Sequence, residues 1–258
     1  MKREVPQWVV EADLAHEREE IFPLERGGRR YWFKRGRPTG STAIHTLGYR
    51  LTGLPFLRPV ERKEAVEAAA WEAEKLRRLG MSGLPVPELI AEGEGYFVMS
   101  DRGEGLAEKL KRTDRERADR WLGGVVDVLA ALHRAGEYHG ASQIRNFVLA
   151  ADETVGIIDF EESFDPASDI EALQFRDLFL LLYSLHRQKH ETDYPALLER
   201  YMAASGNGAF AHELRGLYRR FRWLAKLVAP KAVRRRLGSD AEILHRLFES
   251  LRVSSGEK

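Results

Sequence analysis

Apolar and polar positions alternate through IFPLE and again through RRYWFKR, with RGG between them. This pattern predicts two strands of a half-buried sheet joined by a glycine turn, the second ending near Lys34. From Glu64 to Arg78 the apolar period lengthens to that of a helix, and Gly80, Pro85 and Pro87 end it. Ala65, Ala68, Ala69, Leu76 and Leu79 form one stripe on that helix, with Glu72 at its centre, so a carboxylate is set on the face that packs inward. YFVMS predicts a further strand, and DRGEG a glycine-containing connector. Beyond residue 102 the pattern is mainly helical. WLGGVVDVLAALHRAG predicts an amphipathic helix stopped by Gly136, and an apolar helix is expected from about Ile170 to His186. Asp177 lies in it four residues from both Leu173 and Leu181, a second carboxylate on a buried face. Two or three arginine-rich helices are expected over 192–253. The first hundred residues therefore mix short strands with one helix. Residues 35–62, with four glycines and three prolines, predict a long and partly irregular insertion.

Between the two C-terminal apolar helices lies YHGASQIRNFVLAADETVGIIDFEE, residues 138–162. A polar run, a short apolar stretch, a turn and a second apolar stretch predict a β-hairpin with Asn146 and Asp159 at its two ends. Polar groups at the ends of apolar strands must be solvated, paired or engaged with a ligand.

Composition narrows the alternatives. Forty-one basic residues against forty acidic ones give a net charge of +1, so the totals provide no strong nucleic-acid signal. The absence of cysteine excludes disulfides, thiolate zinc sites and a cysteine nucleophile. MKREVPQWVV runs into acidic EADLAHEREE rather than an apolar segment, and no stretch reaches the length of a membrane span. The expectation is a cytoplasmic protein.

A lysine on a sheet paired with a glutamate on the following helix is suited to holding nucleotide phosphates, and an asparagine with an aspartate supplies hard oxygen ligands for Mg²⁺. Lys34, Glu72, Asn146 and Asp159 occur in that order. The chain here resembles the protein-kinase-like superfamily: HGASQIRN at 139–146 is similar to the catalytic loop His-Arg-Asp-x-x-x-x-Asn, and DFE at 159–161 to Asp-Phe-Gly. The resemblance covers about residues 20–190. It implies an α+β, bilobal fold with a small β-rich N-lobe at 1–101 and a mainly helical C-lobe at 102–258. It also implies ATP and Mg as cofactors, with Lys34, Glu72, Met99 and Asp159 binding the nucleotide, Asn146 and Asp159 the metal, and Asp177 anchoring the catalytic loop. His139 packs behind that loop in this layout.

The KRG start of the insertion, EAEKLRRLGMSGLPVPELI and the Asp-Phe-Glu ending look most similar to bacterial lipopolysaccharide-core kinases, including Kdo and heptose kinases. Small kinases of the Rio type share some of this pattern. The resemblance implies a hydroxyl-bearing acceptor such as a core sugar or other glycolipid, and peripheral contact with the inner membrane.

Three departures stand out. Ala141 occupies the position of the catalytic aspartate, RGG at 26–28 is all that remains of a glycine-rich loop, and Glu161 replaces the glycine of the metal motif. A general base contributes a factor of about 10² to 10⁴, whereas positioning and charge dominate phosphoryl transfer. Ser142, Gln143, Glu161 and Glu162 are the remaining candidates to orient an acceptor hydroxyl, Ser142 and Gln143 also reading as hydrogen-bonding loop residues. The alternative is a catalytically impaired pseudokinase that acts as a nucleotide-binding or scaffold protein. Arg35, Arg37, Arg50 and Arg58 are suited to bidentate contact with an acidic acceptor, or else form a solvated lid. The run KAVRRRLG with Arg219, Arg220 and Arg222 is suited to an anionic membrane surface or forms a solvated helical face.

Overall fold

A computed structural model describes residues 5–54, 57–210, 212, 213, 216 and 219. Strands β1 (Ile21–Arg26) and β2 (Arg29–Arg35) form the expected hairpin, and β2 also pairs antiparallel with β4 (Tyr96–Ser100). Strand β3 (Leu89–Gly93), not expected from the sequence, completes the sheet in the order β1-β2-β4-β3. Strand alternation sorts β2 between two cores. Phe33 joins Phe22, Tyr96 and Val98 on the outer face, where Val9 of a helix α1 (Gln7–Ala15) covers them. Lys34, the next residue, faces the opposite side, toward α3 (Ala65–Met81).

Helix α3 begins where expected, with the Glu64 N–H accepted by the Glu67 side chain, and buries Ala68, Ala69, Glu72, Ala73, Leu76 and Leu79. The insertion departs from the expected irregularity, since helix α2 (Ala43–Thr52) lies inside it. Its two ends are tied together: Thr39 bridges Lys63, and the Val60 N–H donates to Ser41 Oγ at 2.9 Å. One helix was expected in the first hundred residues, and three are present among those described.

The second part of the fold is helical around a small sheet. Strand β5 (Glu104–Gly105) leads into α4 (Leu106–Leu110) and pairs with β6 (Phe147–Leu149), which pairs with β7 (Val155–Ile157). Helix α5 (Arg115–Arg134) is capped by Asp114, which accepts from the Arg117 N–H at 2.9 Å. Helix α6 (Ile170–Arg187) is capped by Asp169 and α7 (Tyr194–Ser205) by Asp193. Val125, Leu129, Phe147, Ile157, Leu181 and Tyr201 belong to one core that continues through Phe97 and Leu76 into the first sheet. The chain is thus α+β, with a small β-rich part and a mainly helical part sharing buried surface. Of the helices expected over 192–253, α7 is described; KAVRRRLG, Arg220 and Arg222 lie outside the described residues. Among the described residues, no helix is long and apolar enough to cross a membrane.

Candidate active site

The site forms where the end of β2, the middle of α3 and the 138–162 hairpin meet. Lys34 Nζ donates to Glu72 Oε1 at 2.8 Å and to Asp159 Oδ1 at 2.6 Å, and Lys34 is only 8% exposed. Glu72 Oε1 also accepts the Phe160 N–H at 3.2 Å, so one carboxylate links the sheet to the segment beginning at Asp159. Burial alone lowers the Lys34 pKa, but the charges of Glu72 and Asp159 outweigh it and hold the ammonium above its usual range. The two carboxylates respond differently to that shared cation. Burial pushes the Glu72 carboxyl up, with Lys34 offsetting only part of it; for Asp159, burial is more than offset by Lys34, and the group is held below its usual range.

Asp159 has φ of +71°, a left-handed conformation that costs a non-glycine residue energy and is concentrated at functional sites. Its Oδ1 is taken by Lys34, and among the described residues that is the side-chain contact Asp159 makes, which leaves Oδ2 for a ligand. Asn146, 4% exposed, donates from Nδ2 to the Ala141 carbonyl at 2.8 Å, which orients its Oδ1 as a spare acceptor. A carboxylate oxygen and an amide oxygen, both unspent, are a donor set that fits Mg²⁺. Among the described residues no group of three or more His, Asp or Glu could hold a metal, so such an ion would draw its remaining ligands from phosphate and water.

The loop carrying Asn146 is held from beneath by α6. Asp177, fully buried, accepts the His139 N–H at 2.6 Å, the Gly140 N–H at 2.8 Å and His133 Nε2 at 3.3 Å. His139 packs against the Phe160 ring with centroids 4.7 Å apart. Its Nε2 lies 2.9 Å from the Ile158 carbonyl while Nδ1 accepts the Ala141 N–H at 3.1 Å, which requires the neutral imidazole with the proton on Nε2. Burial pushes the His139 pKa down, in keeping with the neutral form.

Several other expected contributors have partners of their own. Ser142 is fully buried and its hydroxyl donates to the Asp177 carbonyl, which removes it from the open side of the site. The Gln143 main chain shapes the turn at 144–146, its carbonyl accepting the Asn146 N–H at 2.8 Å. Met99 pairs with Trp32 in the sheet and is buried in the shared core. Glu162 is bound by Arg176 at 2.9 Å, and Glu161 lies 3.7 Å from Arg37. Arg35 is tied to Asp13 and to the carbonyls of Asp13, His16 and Glu19, so it fixes α1 rather than an acceptor. Arg58 lies over the Tyr49 ring at 5.6 Å, and Arg50 is exposed.

Sequence reasoning missed Arg176 and Lys75. Arg176, 5% exposed, donates from Nε to the Gly140 carbonyl at 2.8 Å, adding a second α6 contact to the loop. Gly140 has φ of +102°, and a Cβ there would meet Glu162 Cβ at 2.8 Å, so this position accepts only glycine. The signal for Arg176 was its place beside Asp177.

Comparison with known proteins adds sequence relatives. The chain is 25% identical over 178 residues to a 3-deoxy-D-manno-octulosonic acid (Kdo) kinase of Vibrio vulnificus, a match covering 66% of this chain and 66% of that protein, just under two thirds of its length. It is 22% identical over 247 residues to an uncharacterised protein of Haemophilus influenzae, covering 94% of each. A Rio2 kinase from Chaetomium thermophilum, solved as an ADP/Mg²⁺-phosphoaspartate complex, superposes with a TM-score of 0.45 at 18% identity, covering 95% of this chain and 75% of that one. No family model matches. The Lys34–Glu72 pair and the loop anchored on Asp177 are in keeping with the protein-kinase-like resemblance of the sequence, and the chain has a weak sequence similarity to a Kdo kinase.

Proposed function

We propose that this protein binds ATP with Mg²⁺ and transfers a phosphoryl group to a hydroxyl of a sugar or glycolipid acceptor. The observation that carries the reading is the shared cation: Lys34 joins Glu72 to Asp159 in a buried cluster while Asp159 Oδ2 and Asn146 Oδ1 remain available. Lys34 then holds the α and β phosphates, and Glu72 fixes Lys34. Asn146 and Asp159 hold Mg²⁺, which when bound neutralises phosphate charge during transfer. Asp177 keeps the loop rigid, so Asn146 does not reorganise as charge develops. The acceptor class is carried by the similarity to the Vibrio kinase alone.

A second reading has its own support. Ala141 supplies no base, Ser142 is spent on Asp177, and Glu162 is bound by Arg176, so of the carboxylates expected to orient an acceptor Glu161, 3.7 Å from Arg37, is the less tightly held. This favours nucleotide binding with little or no turnover. The two readings share the site and part at product formation. Asp159→Ala tests both: Mg²⁺-dependent ATP binding is expected to disappear, and retention of wild-type binding would remove the assignment. Binding by the wild type without phosphorylated product across a panel of sugar and glycolipid acceptors would select the second reading.

A further inference from the structure

Lys75 lies one turn beyond Glu72 on the same face of α3 and is 1% exposed. Its Nζ makes no hydrogen bond among the described residues. The ammonium instead sits 3.8 Å from the centre of the Tyr138 ring, 5.6 Å from that of Phe160 and 5.8 Å from that of Trp71. A Leu or Met would fill this space without the cost of burying a charge, so packing alone does not account for a lysine here.

Trp71 is on α3 itself, and the other two rings belong to the segments that carry the site. Phe160 follows Asp159, and Tyr138 precedes His139, whose N–H is held by Asp177. Tyr138 also packs edge-on against Phe164, farther along the chain from Phe160. Charged groups surround Lys75 from every packed element. Asp177 on α6, Glu137 beside Tyr138 and Glu72 on its own helix favour its charge, whereas Arg78 on α3 opposes it. His139 lies among them, and Lys63 covers the Trp71 ring at 5.1 Å. Burial draws the Lys75 pKa down to about 8, so the ammonium is still the main form at neutral pH.

We propose that Lys75 is a positioning residue: its ammonium, held on the faces of Tyr138 and Phe160, sets α3 against the segments that carry Asn146 and Asp159, so that the nucleotide site assembles only when α3 is packed. This rests on the nucleotide-binding reading above. Glu72 fixes the Phe160 main chain and Lys75 its ring, and together they make the placement of Asp159 depend on α3.

The test is calorimetric titration of ADP with Mg²⁺ into wild type, Lys75→Met, Lys75→Arg and Tyr138→Leu, beside thermal unfolding of each without ligand. Lys75→Met is expected to unfold no lower than wild type, because it removes a buried charge, yet to bind Mg²⁺·ADP about tenfold more weakly. Lys75→Arg, which keeps a cation for the rings, is expected to stay within about threefold of wild type. Tyr138→Leu removes the ring rather than the charge, is expected to match Lys75→Met in affinity, and serves if Lys75→Met does not fold. Wild-type affinity in Lys75→Met or Tyr138→Leu overturns the proposal, as does equal weakening in Lys75→Met and Lys75→Arg, since packing and not charge would then set the site. Absence of binding by the wild type itself removes the nucleotide reading and this inference with it; wild-type binding with unaltered variants removes the inference alone.

Discussion

Asp177→Ala is the perturbation whose cost the structure specifies most fully. The carboxylate is fully buried and accepts two main-chain N–H groups, from His139 at 2.6 Å and Gly140 at 2.8 Å, together with a longer contact from His133 at 3.3 Å. Alanine leaves both main-chain donors buried and unpaired, at about 1–3 kcal/mol each, and the vacated volume adds about 1 kcal/mol. The expected loss is about 3–7 kcal/mol, a large part of the 5–15 kcal/mol typical of a whole domain. Urea denaturation followed by far-ultraviolet circular dichroism reads this as a lower midpoint at unchanged slope. Amide hydrogen exchange at His139 and Gly140 localises it. A loss below about 1 kcal/mol, or unchanged protection of those two amides, would refute the view that this carboxylate holds the loop. Acid provides an independent check. Burial pushes the Asp177 carboxyl up, but the His133 contact and the His139 main-chain N–H outweigh it, and the net shift is downward. Its stabilisation is therefore complete above the ordinary aspartate pKa of about 4 and is lost as pH falls through the lower folded value. Asp177→Ala should lack that part of the acid transition.

Two further expectations follow from other positions. Lys75 has a folded pKa of about 8, below its unfolded value, so its charge opposes folding at neutral pH and the opposition is relieved as pH rises. Wild type should gain about 2–3 kcal/mol relative to Lys75→Met between pH 7 and 10, and parallel stability curves would contradict this. At the junction of β2 and α3, a Cβ on Gly36 would lie 1.9 Å from the Ala65 carbonyl oxygen, a backbone atom that cannot turn aside. Gly36→Ala should lower stability by about 2–4 kcal/mol in the same denaturation assay, and a change within about 0.5 kcal/mol would show that the junction shifts freely.

Local periodicity carried much of the fold. Helix α3 with Glu72 inward, α6 with Asp177 inward and the β1–β2 hairpin lie where alternation and turn residues place them, because each buries a distinct face. Elements with little to bury escaped. Helix α1 has Val9 as its buried residue, and α2 exposes Leu47 and Leu51 within a glycine-containing segment whose composition reads as irregular. Strand β3 is short and its pairing with β4 is interrupted between Leu89 and Ala91, which blurs its alternation.

The site was legible to a different degree. That Lys34, Glu72 and Asp159 come together cannot be read from periodicity, since Lys34 and Asp159 are 125 residues apart, and the expectation rested on family resemblance. Ser142 is indistinguishable from a reactive hydroxyl until α6 presents the Asp177 carbonyl to it. Lys75 broke the apolar stripe of α3 as Glu72 did, but a lysine reads as solvated until Tyr138 and Phe160 from distant segments, with Trp71 of its own helix, enclose it. Arg35 likewise reads as available until Asp13 and the carbonyls around α1 engage it.

The central claim is that a nucleotide is held here through a metal on Asn146 and Asp159, with Lys34 between Glu72 and Asp159. The most direct measurement is a calorimetric titration of ATP into the wild-type protein in Mg²⁺ and again in excess chelator. Saturable binding in Mg²⁺ that weakens by at least about tenfold without it is the predicted result. Equal affinity in both conditions, or no binding in either, would contradict the account.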